Sequence, residues 1–455
     1  MRGHELDDLK RACAAVDVRD VYVSFELFVE LSGVRKESIG ENGRNRRVMD
    51  GGRHRPGTFG GVLGFHLGIG REFVARVHGK GDSIESRMED RLAKPDVELV
   101  AALDLGDRAG GLARIGGGPA ARGFLHLLSY CGARINEGQQ KWAHMIGVLE
   151  SLGREDITMS YLHHVLITKT GPTKGSEVFS KVRELVTSHS RALEFLEELA
   201  ESAHDYAALF NSDHKKWNEY GTATRHHIST INRDLRVEQI RPLMFAVARK
   251  FSKAEAKSAY KLCVFWSVRF LVVGGRGGLL DRNYALRAQE ISTGKIKSTS
   301  ALTNAMADVI PNDALFKTAF SQQRVSQAFL ARYYLRALEQ REKGLDEPEF
   351  VPTDDEQAVN LEHILPENPG KNWPDFDADS ASAYYKRLGN MAILHAKKNV
   401  LVGNGKFADK RQALKDSPYL LTSDVGKQPT WGPKQINERQ AKLADLAVET
   451  WPSTV

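Results

Sequence analysis

The sequence is poor in cysteine. Only three cysteines occur among 455 residues, and Cys13, Cys131 and Cys263 lie far apart. They form no CxxC pair, so the sequence does not encode a zinc ribbon, and their odd number and wide spacing argue against a disulfide framework. This usage is typical of proteins of a reducing compartment, and we expect the protein in the cytoplasm.

Long apolar runs are also missing. The best candidate for a membrane span, Leu262 to Gly275, has fewer residues than the ~18 that a spanning helix needs, and it contains Arg269. The first fifteen residues carry acids where a secretion signal would have a basic end and an apolar core. We therefore expect neither a membrane partner nor export.

Glycine, in contrast, is crowded into one region. Nineteen of the 40 glycines fall between Gly40 and Gly123, mixed with arginines and without a sustained period of 2 or 3.6. Such a stretch has few side chains to bury, and glycine loses the most backbone entropy on ordering. It contains neither GxxxxGK[ST] nor a GxGxxG after a clear strand, so a phosphate-binding loop is not indicated. We interpret residues 1–123 as a degenerate or truncated α/β region, with partial translation out of frame as a sharper hypothesis.

Residues 124–344 show helical periodicity. Apolar residues recur at i, i+3 and i+4 from Trp142 to Leu149 and in five later segments. Ser252 followed by Glu255 predicts a capping box at a helix start, and Gly274 predicts its end. The adjacent pairs His163-His164 and His226-His227 diverge on a helix and are not expected to chelate a metal together. This part is predicted to be an all-α bundle.

A change of pattern follows. Residues 345–358, with two prolines and six acids, predict an acidic linker. Residues 359–455 then form a separate α+β domain, in which the short apolar runs Val359–Leu365 and Leu388–Leu394 predict strands, followed by a helix near Lys406–Lys415. The overall prediction is thus a mainly α protein.

The charge of the chain is uneven. The formal net charge is +6, with 64 basic and 58 acidic residues. Between Ala396 and Lys442 there are ten bases and four acids, a local excess as large as that of the whole chain. A charge run is usually a solvated face, and it indicates nucleic acid only beside a suitable site.

Such a site is predicted nearby. Glu362-His363 ends the first strand, Asn390 precedes the apolar part of the second, and Asn399 lies before the helix. Strand with His, strand with Asn and helix with Asn is the order of a strand-strand-helix metal nuclease. The competing interpretation is a surface Glu-His pair with Asn390 as a turn residue.

The chemistry of phosphodiester cleavage assigns roles to these residues. A neutral His363 can take a proton from water, and Asn390 would orient its imidazole by a hydrogen bond. Oxygen ligands from Glu362 and Asn399 suit Mg²⁺, although Mn²⁺ remains an alternative. Basic side chains along the phosphate path would contact DNA, and the residues predicted for this are Lys397, Lys398, Lys406, Lys410 and Arg411.

The same residues carry a family resemblance. Residues 360–452 resemble the C-terminal HNH nuclease domain of the GmrSD family of modification-dependent (type IV) restriction endonucleases. The matching segments are Leu361–Pro366, Arg387–Leu394 and Asn404–Lys410, with Trp431, Ile436, Arg439, Leu443 and Trp451-Pro452. The resemblance extends back through Lys169–Thr173 and Ala331–Leu335. It implies His363 as general base, Glu362 and Asn399 as metal ligands and Asn390 as the orienting residue. Val400 departs from the serine that the family has after its last Asn.

The N-terminal module of the family, a ParB-like nucleotide-using domain, is marked by Asp-Gly-Gln-Gln-Arg. The corresponding stretch here is Met49–Arg53, in which both glutamines are absent, so Asp50, Gly51 and Arg53 are only a weak candidate for NTP binding. Glu137–Lys141 is similar in letters but is predicted to be a helix start.

The first functional hypothesis is a metal-dependent DNA endonuclease directed against foreign, base-modified DNA. The alternative is a family member that is unregulated or catalytically compromised and binds DNA without NTP-coupled cleavage. A purely structural helical scaffold is the third. The sequence leaves open whether the protein is a homo-oligomer.

Overall fold

The computed structural model describes three strands near the N-terminus and most of the chain beyond them. The described parts are residues 22–26, 58–67, 71–80, 119–275, 277–349, 359–373, 376–395 and 405–455. The chain divides into two compact units, Met1–Gly106 and Asp107–Val455. Among the described residues, no helix is both long enough and apolar enough to cross a membrane.

The described part of the first unit is an antiparallel sheet. Strands β1 (Tyr22–Glu26), β2 (Thr58–Leu67) and β3 (Arg71–Lys80) have the order β1-β3-β2. Phe65 is opposite Phe73, and Phe25 is opposite Ala75. The sequence did not locate these strands within the predicted α/β region, because the glycine-rich stretch shows no sustained period of 2, and backbone pairing between strands does not require one. The α/β assignment of residues 1–123 remains a prediction, since the rest of this region, including Asp50, Gly51 and Arg53, lies outside the described residues.

The second unit is mainly helical, as predicted. Its sixteen described α-helices are α1 (Pro119–Ser129), α2 (Ile135–Glu150), α3 (Ile157–Thr170), α4 (Val178–Leu185), α5 (His189–Ala208), α6 (Thr222–Ser229), α7 (Arg241–Lys250), α8 (Lys253–Val273), α9 (Gly277–Ser292), α10 (Thr299–Met306), α11 (Asp313–Phe320), α12 (Ala328–Glu342), α13 (Ala378–Tyr385), α14 (Phe407–Lys415), α15 (Leu420–Lys427) and α16 (Pro433–Thr450). Two strands, β4 (Val359–His363) and β5 (Met391–His395), form the sheet of this unit.

Local signals in the sequence correspond to helix ends. Ser252 caps α8 by accepting a hydrogen bond from the Glu255 backbone, and Gly274 ends the helix at φ +68°. The capping box is only half formed, because the Glu255 carboxylate accepts from the Thr299 backbone of α10 instead of turning back to Ser252. Glu137 lies in the first turn of α2, as predicted. Ser252 thus caps α8, while Glu255 in the first turn of the same helix anchors the start of α10.

Strand β5 is buried on both faces. Met391 and Ile393 belong to the large core of the helices, whereas Ala392 and Leu394 belong to a smaller core with Phe407 and other residues of the C-terminal part. The alternation follows from the period of two in a strand. A strand covered on both sides reads as a continuous apolar run, which is the pattern seen in the sequence.

The C-terminal part is therefore packed directly onto the helical bundle. Leu443 and Trp451 of the last helix and its end belong to the large core. Glu349, inside the predicted linker, is buried, with its carboxylate 3.5 Å from His227 Nε2 and 3.4 Å from Lys261 Nζ. The described end of that segment is thus held against the helices, and the predicted domain boundaries remain a prediction.

Arg269 connects α8 to the end of the chain. Its fully buried guanidinium donates to the carbonyls of Trp451 and Pro311 at 2.7 Å each and to the Asp313 carboxylate at 2.6 Å. The charge that made residues 262–275 unsuitable for a membrane thus has two buried carbonyl acceptors and one carboxylate acceptor at the surface. The apolar stretch is a buried core helix.

Replacing Arg269 by Met should destabilise the second unit by about 2–4 kcal/mol, because two buried carbonyls lose their donor. Urea unfolding followed by tryptophan fluorescence measures this. Arg282→Met, on the exposed face of α9, is the matched control and should change stability by less than about 0.5 kcal/mol. Equal effects of the two substitutions would contradict the assigned role of Arg269.

Candidate active site

The two strands of the second unit place Glu362, His363 and Asn390 together. Strands β4 and β5 are antiparallel, with Glu362 opposite Ala392 and His363 opposite Met391. The ladder continues past the strand end, where the Ile364 backbone donates to the carbonyl of Asn390 at 3.0 Å. The predicted order of strand with His, strand with Asn and following helix is present.

His363 is half-buried at the end of β4. Its imidazole is stacked on the ring of Tyr385, with a centroid distance of 4.2 Å and an interplanar angle of 23°. Burial, with the positive charges of Lys410 and Lys386, lowers the pKa of His363 to about 4. The imidazole is therefore neutral at physiological pH and has a lone pair that can accept a proton.

Glu362 is buried and paired with a lysine. Lys410, on α14, donates to Glu362 Oε1 at 2.6 Å and to the carbonyl of His363 at 3.2 Å. Burial raises the pKa of Glu362, and the Lys410 ammonium acts against that rise. The structure contradicts the expectation that Lys410 contacts DNA, because its side chain is 1% exposed and its ammonium is directed into the protein.

Asn390 is fully buried, and its side-chain amide is saturated. Its Oδ1 accepts from the Leu365 backbone at 2.9 Å and from Trp431 Nε1 at 3.1 Å. Its Nδ2 donates to the carbonyls of Leu365 at 2.9 Å and Tyr385 at 3.3 Å. Two lone pairs and two N–H groups are the full capacity of an amide. The expected hydrogen bond from Asn390 to the His363 ring is not among these, because Leu365, Tyr385 and Trp431 take up all four hydrogen bonds of the amide.

Helix α16 holds the turn before β5. Arg439 donates to the carbonyls of Leu388, Gly389 and Met391 at 3.1, 2.9 and 2.7 Å. Gln440 accepts from the Gly389 backbone and donates to the carbonyl of Phe320 at 2.7 Å. A Cβ on Gly389 would lie 2.3 Å from the carbonyl oxygen of Ile436, so only glycine fits there. Arg439 was visible in the sequence as part of the family motif, but its role depends on this packing.

The remaining predicted site residues divide into two groups. Lys406, at the start of α14, and Arg411 are exposed, and Arg411 also donates to the carbonyl of Gly426 at 3.2 Å. Lys397, Lys398 and Asn399 lie outside the described residues.

A metal would have one described carboxylate at this site. The described part of the chain contains no cluster of three or more His, Cys, Asp or Glu side chains arranged for a metal ion. Mg²⁺ is commonly held by one or two carboxylates with waters and substrate phosphates as its other ligands. Glu362 fits that donor set, since only its Oε1 is bonded by Lys410.

A comparison with known families identifies one segment of the chain. Residues 310–446 match the family described as GmrSD restriction endonucleases, C-terminal domain. This segment of the chain is therefore a GmrSD C-terminal domain, called the GmrSD domain below. The GmrSD domain begins in the structure just before α11, and it is a restriction endonuclease domain with DNA as its substrate. No curated protein matches the chain.

Substituting Asn390 by Ala should destabilise the GmrSD domain by about 2–4 kcal/mol, because buried donors and acceptors of Leu365, Tyr385 and Trp431 lose their partner. Thermal or urea unfolding provides the measurement. Asn437→Ala, on the exposed side of α16, serves as control and should be neutral. If the two variants unfold alike, the amide does not hold the strand ends.

The Lys410–Glu362 pair should behave as a coupled unit. Lys410→Met leaves a buried carboxylate alone and should cost about 3–5 kcal/mol of stability. Adding Glu362→Gln should recover part of that loss, giving a coupling free energy of about 1–3 kcal/mol in a double-mutant cycle. The exposed pair Lys434–Glu438, changed to Met and Gln, should show additive effects. Additivity at Lys410 and Glu362 would show that the pair is not coupled.

Proposed function

We propose that the protein is a metal-dependent, HNH-type DNA endonuclease that acts in defence against base-modified foreign DNA. The observation that carries the proposal is that a neutral His363 follows Glu362 directly in sequence at the end of a strand, within the segment that matches the GmrSD C-terminal domain. A base and a hard oxygen ligand are the two groups that phosphodiester hydrolysis needs at one point.

In this mechanism His363 accepts the proton of the attacking water. Its low pKa keeps the imidazole in the basic form, and Tyr385 covers one face of the ring. Glu362 would hold the metal, with Asn399 as the second predicted ligand. A bound divalent cation, Mg²⁺ or Mn²⁺, supplies charge neutralisation on the phosphate.

Exposed basic side chains would contact the DNA backbone. Lys406 and Arg411 lie at the surface of α14, the helix that also carries Lys410 to Glu362. We propose that these two side chains, with Lys397 and Lys398, bind phosphates. Lys410 is excluded from this set because it is buried.

The second candidate is an unregulated or compromised member of the family that binds DNA without NTP-coupled cleavage. The observation that favours it is the loss of both glutamines in Met49–Arg53, the stretch expected to use nucleotide. The two candidates differ in one measurable property, the dependence of cleavage on NTP.

The test uses the purified full chain with plain and glucosylated-hydroxymethylcytosine DNA, with Mg²⁺, Mn²⁺ or EDTA, and with or without NTP. Removing the general base by His363→Ala should reduce the cleavage rate by about 10²–10⁴-fold. His395→Ala, at the opposite end of the two-stranded sheet, is the matched control and should retain the wild-type rate.

Cleavage that is lost in His363→Ala and stimulated by NTP supports the first candidate, and NTP-independent cleavage supports an unregulated member. Binding of DNA without cleavage supports a compromised one. Cleavage that survives His363→Ala, or that is unchanged in EDTA, contradicts the proposed site.

A further inference from the structure

Within the described part of the chain, hydrogen bonds hold the backbone of His363 but not its ring. The residue is paired with Met391 across the sheet, and its carbonyl accepts from Lys410. Among the described residues, neither ring nitrogen of His363 has a hydrogen-bond partner. The Asn390 amide has no free donor or acceptor for the ring, because all four of its bonds go to Leu365, Tyr385 and Trp431.

One described contact does restrain the ring. Tyr385, the last residue of α13, lies over the imidazole at a centroid distance of 4.2 Å and an angle of 23°. Offset stacking of two aromatic rings is favourable and depends on the angle between them. A stack restricts the plane of the imidazole and leaves the ring nitrogens, which lie at the edge, open to water and substrate.

Tyr385 is itself fixed in place from two sides. Its carbonyl accepts from Asn390 Nδ2 at 3.3 Å. Two residues later, Arg387 donates to the carbonyl of Ser321 at 2.8 Å, which ties the same turn to the segment after α11. Asn390 thus holds the backbone that carries the stacking ring.

We infer that Tyr385 is the positioning residue of His363: its aromatic ring sets the plane in which the imidazole meets the attacking water, and its hydroxyl is not required. The role of His363 as a base rests on the proposed function, but the stacking of the two rings does not. Two variants separate the ring from the hydroxyl. Tyr385→Phe keeps the stacked ring, whereas Tyr385→Leu keeps apolar volume without a ring.

The kinetic test compares kcat and KM of DNA cleavage for the full chain. Misplacing a reacting group by about 1 Å can cost ~10²-fold, so Tyr385→Leu should lower kcat by about 10- to 100-fold. Its KM should hardly change, since the inferred role gives Tyr385 no contact with DNA, and Tyr385→Phe should restore kcat to nearly the wild-type value. A Leu variant with wild-type kcat, or a Phe variant as impaired as the Leu variant, would overturn the inference.

A second measurement is independent of catalysis. Diethyl pyrocarbonate modifies neutral imidazoles, and the modification of each histidine is followed by mass spectrometry in the absence of DNA. His363 should react several-fold faster in Tyr385→Leu than in the wild type and at an unchanged rate in Tyr385→Phe. His395, which is exposed on the same sheet, is the internal control for an intact fold and should react equally in all three proteins.

Together, the two measurements distinguish a failure of the proposed nuclease function from a failure of the positioning role of Tyr385. If the wild type does not cleave DNA while His363 is modified faster in Tyr385→Leu only, the proposed function is wrong, and the stacking of Tyr385 on His363 is supported. If the reactivity of His363 is the same in all three proteins, the positioning role fails whatever the activity. Faster modification of His395 in the Leu variant would show general unfolding and would also count against the inference.

Discussion

The candidate site depends on one buried amide. The four hydrogen bonds of Asn390 join three segments that are separate in sequence, namely Leu365 just after β4, Tyr385 at the end of α13 and Trp431 in the loop before α16. A buried polar side chain is stable only when it is fully bonded, so each segment has essentially one position relative to the others. The stack of Tyr385 on His363 is a consequence of that arrangement.

The site is rigid because the helical bundle supports it from behind. Strand β5 contributes Met391 and Ile393 to the large core and Ala392 and Leu394 to the small one. Helix α16 completes the support, since Arg439 and Gln440 bond the turn at Gly389 and Arg269 bonds the carbonyl of Trp451. The GmrSD match begins at residue 310, in front of α11 and α12, and therefore includes part of this helical support.

Charge in the sequence and charge on the surface are different quantities here. Lys410 and Arg439 belong to the basic excess between Ala396 and Lys442, yet both are engaged inside the protein. Lys410 neutralises Glu362, and burial lowers the pKa of Arg439 to about 10 while its guanidinium holds three carbonyls of the turn. Lys406 and Arg411, in contrast, are exposed, and they are the bases that the proposed function assigns to phosphate. A count of lysines and arginines along the chain therefore overestimates the positive charge at the surface.

The sequence by itself determined the local features: the helices of the bundle, the cap at Ser252, the end at Gly274, the two apolar strands and the order of His363 and Asn390. Periodicity and capping are properties of neighbouring residues, so they can be read from the chain alone. It did not locate β1–β3 within the predicted α/β region, since that stretch has no sustained apolar alternation. Only the tertiary structure decided that Asn390 bonds Leu365 rather than His363, that Lys410 pairs with Glu362, and that Tyr385 covers the imidazole. Those partners come from different elements, and which of several polar or aromatic side chains meet is set by the packing of the two cores around β5.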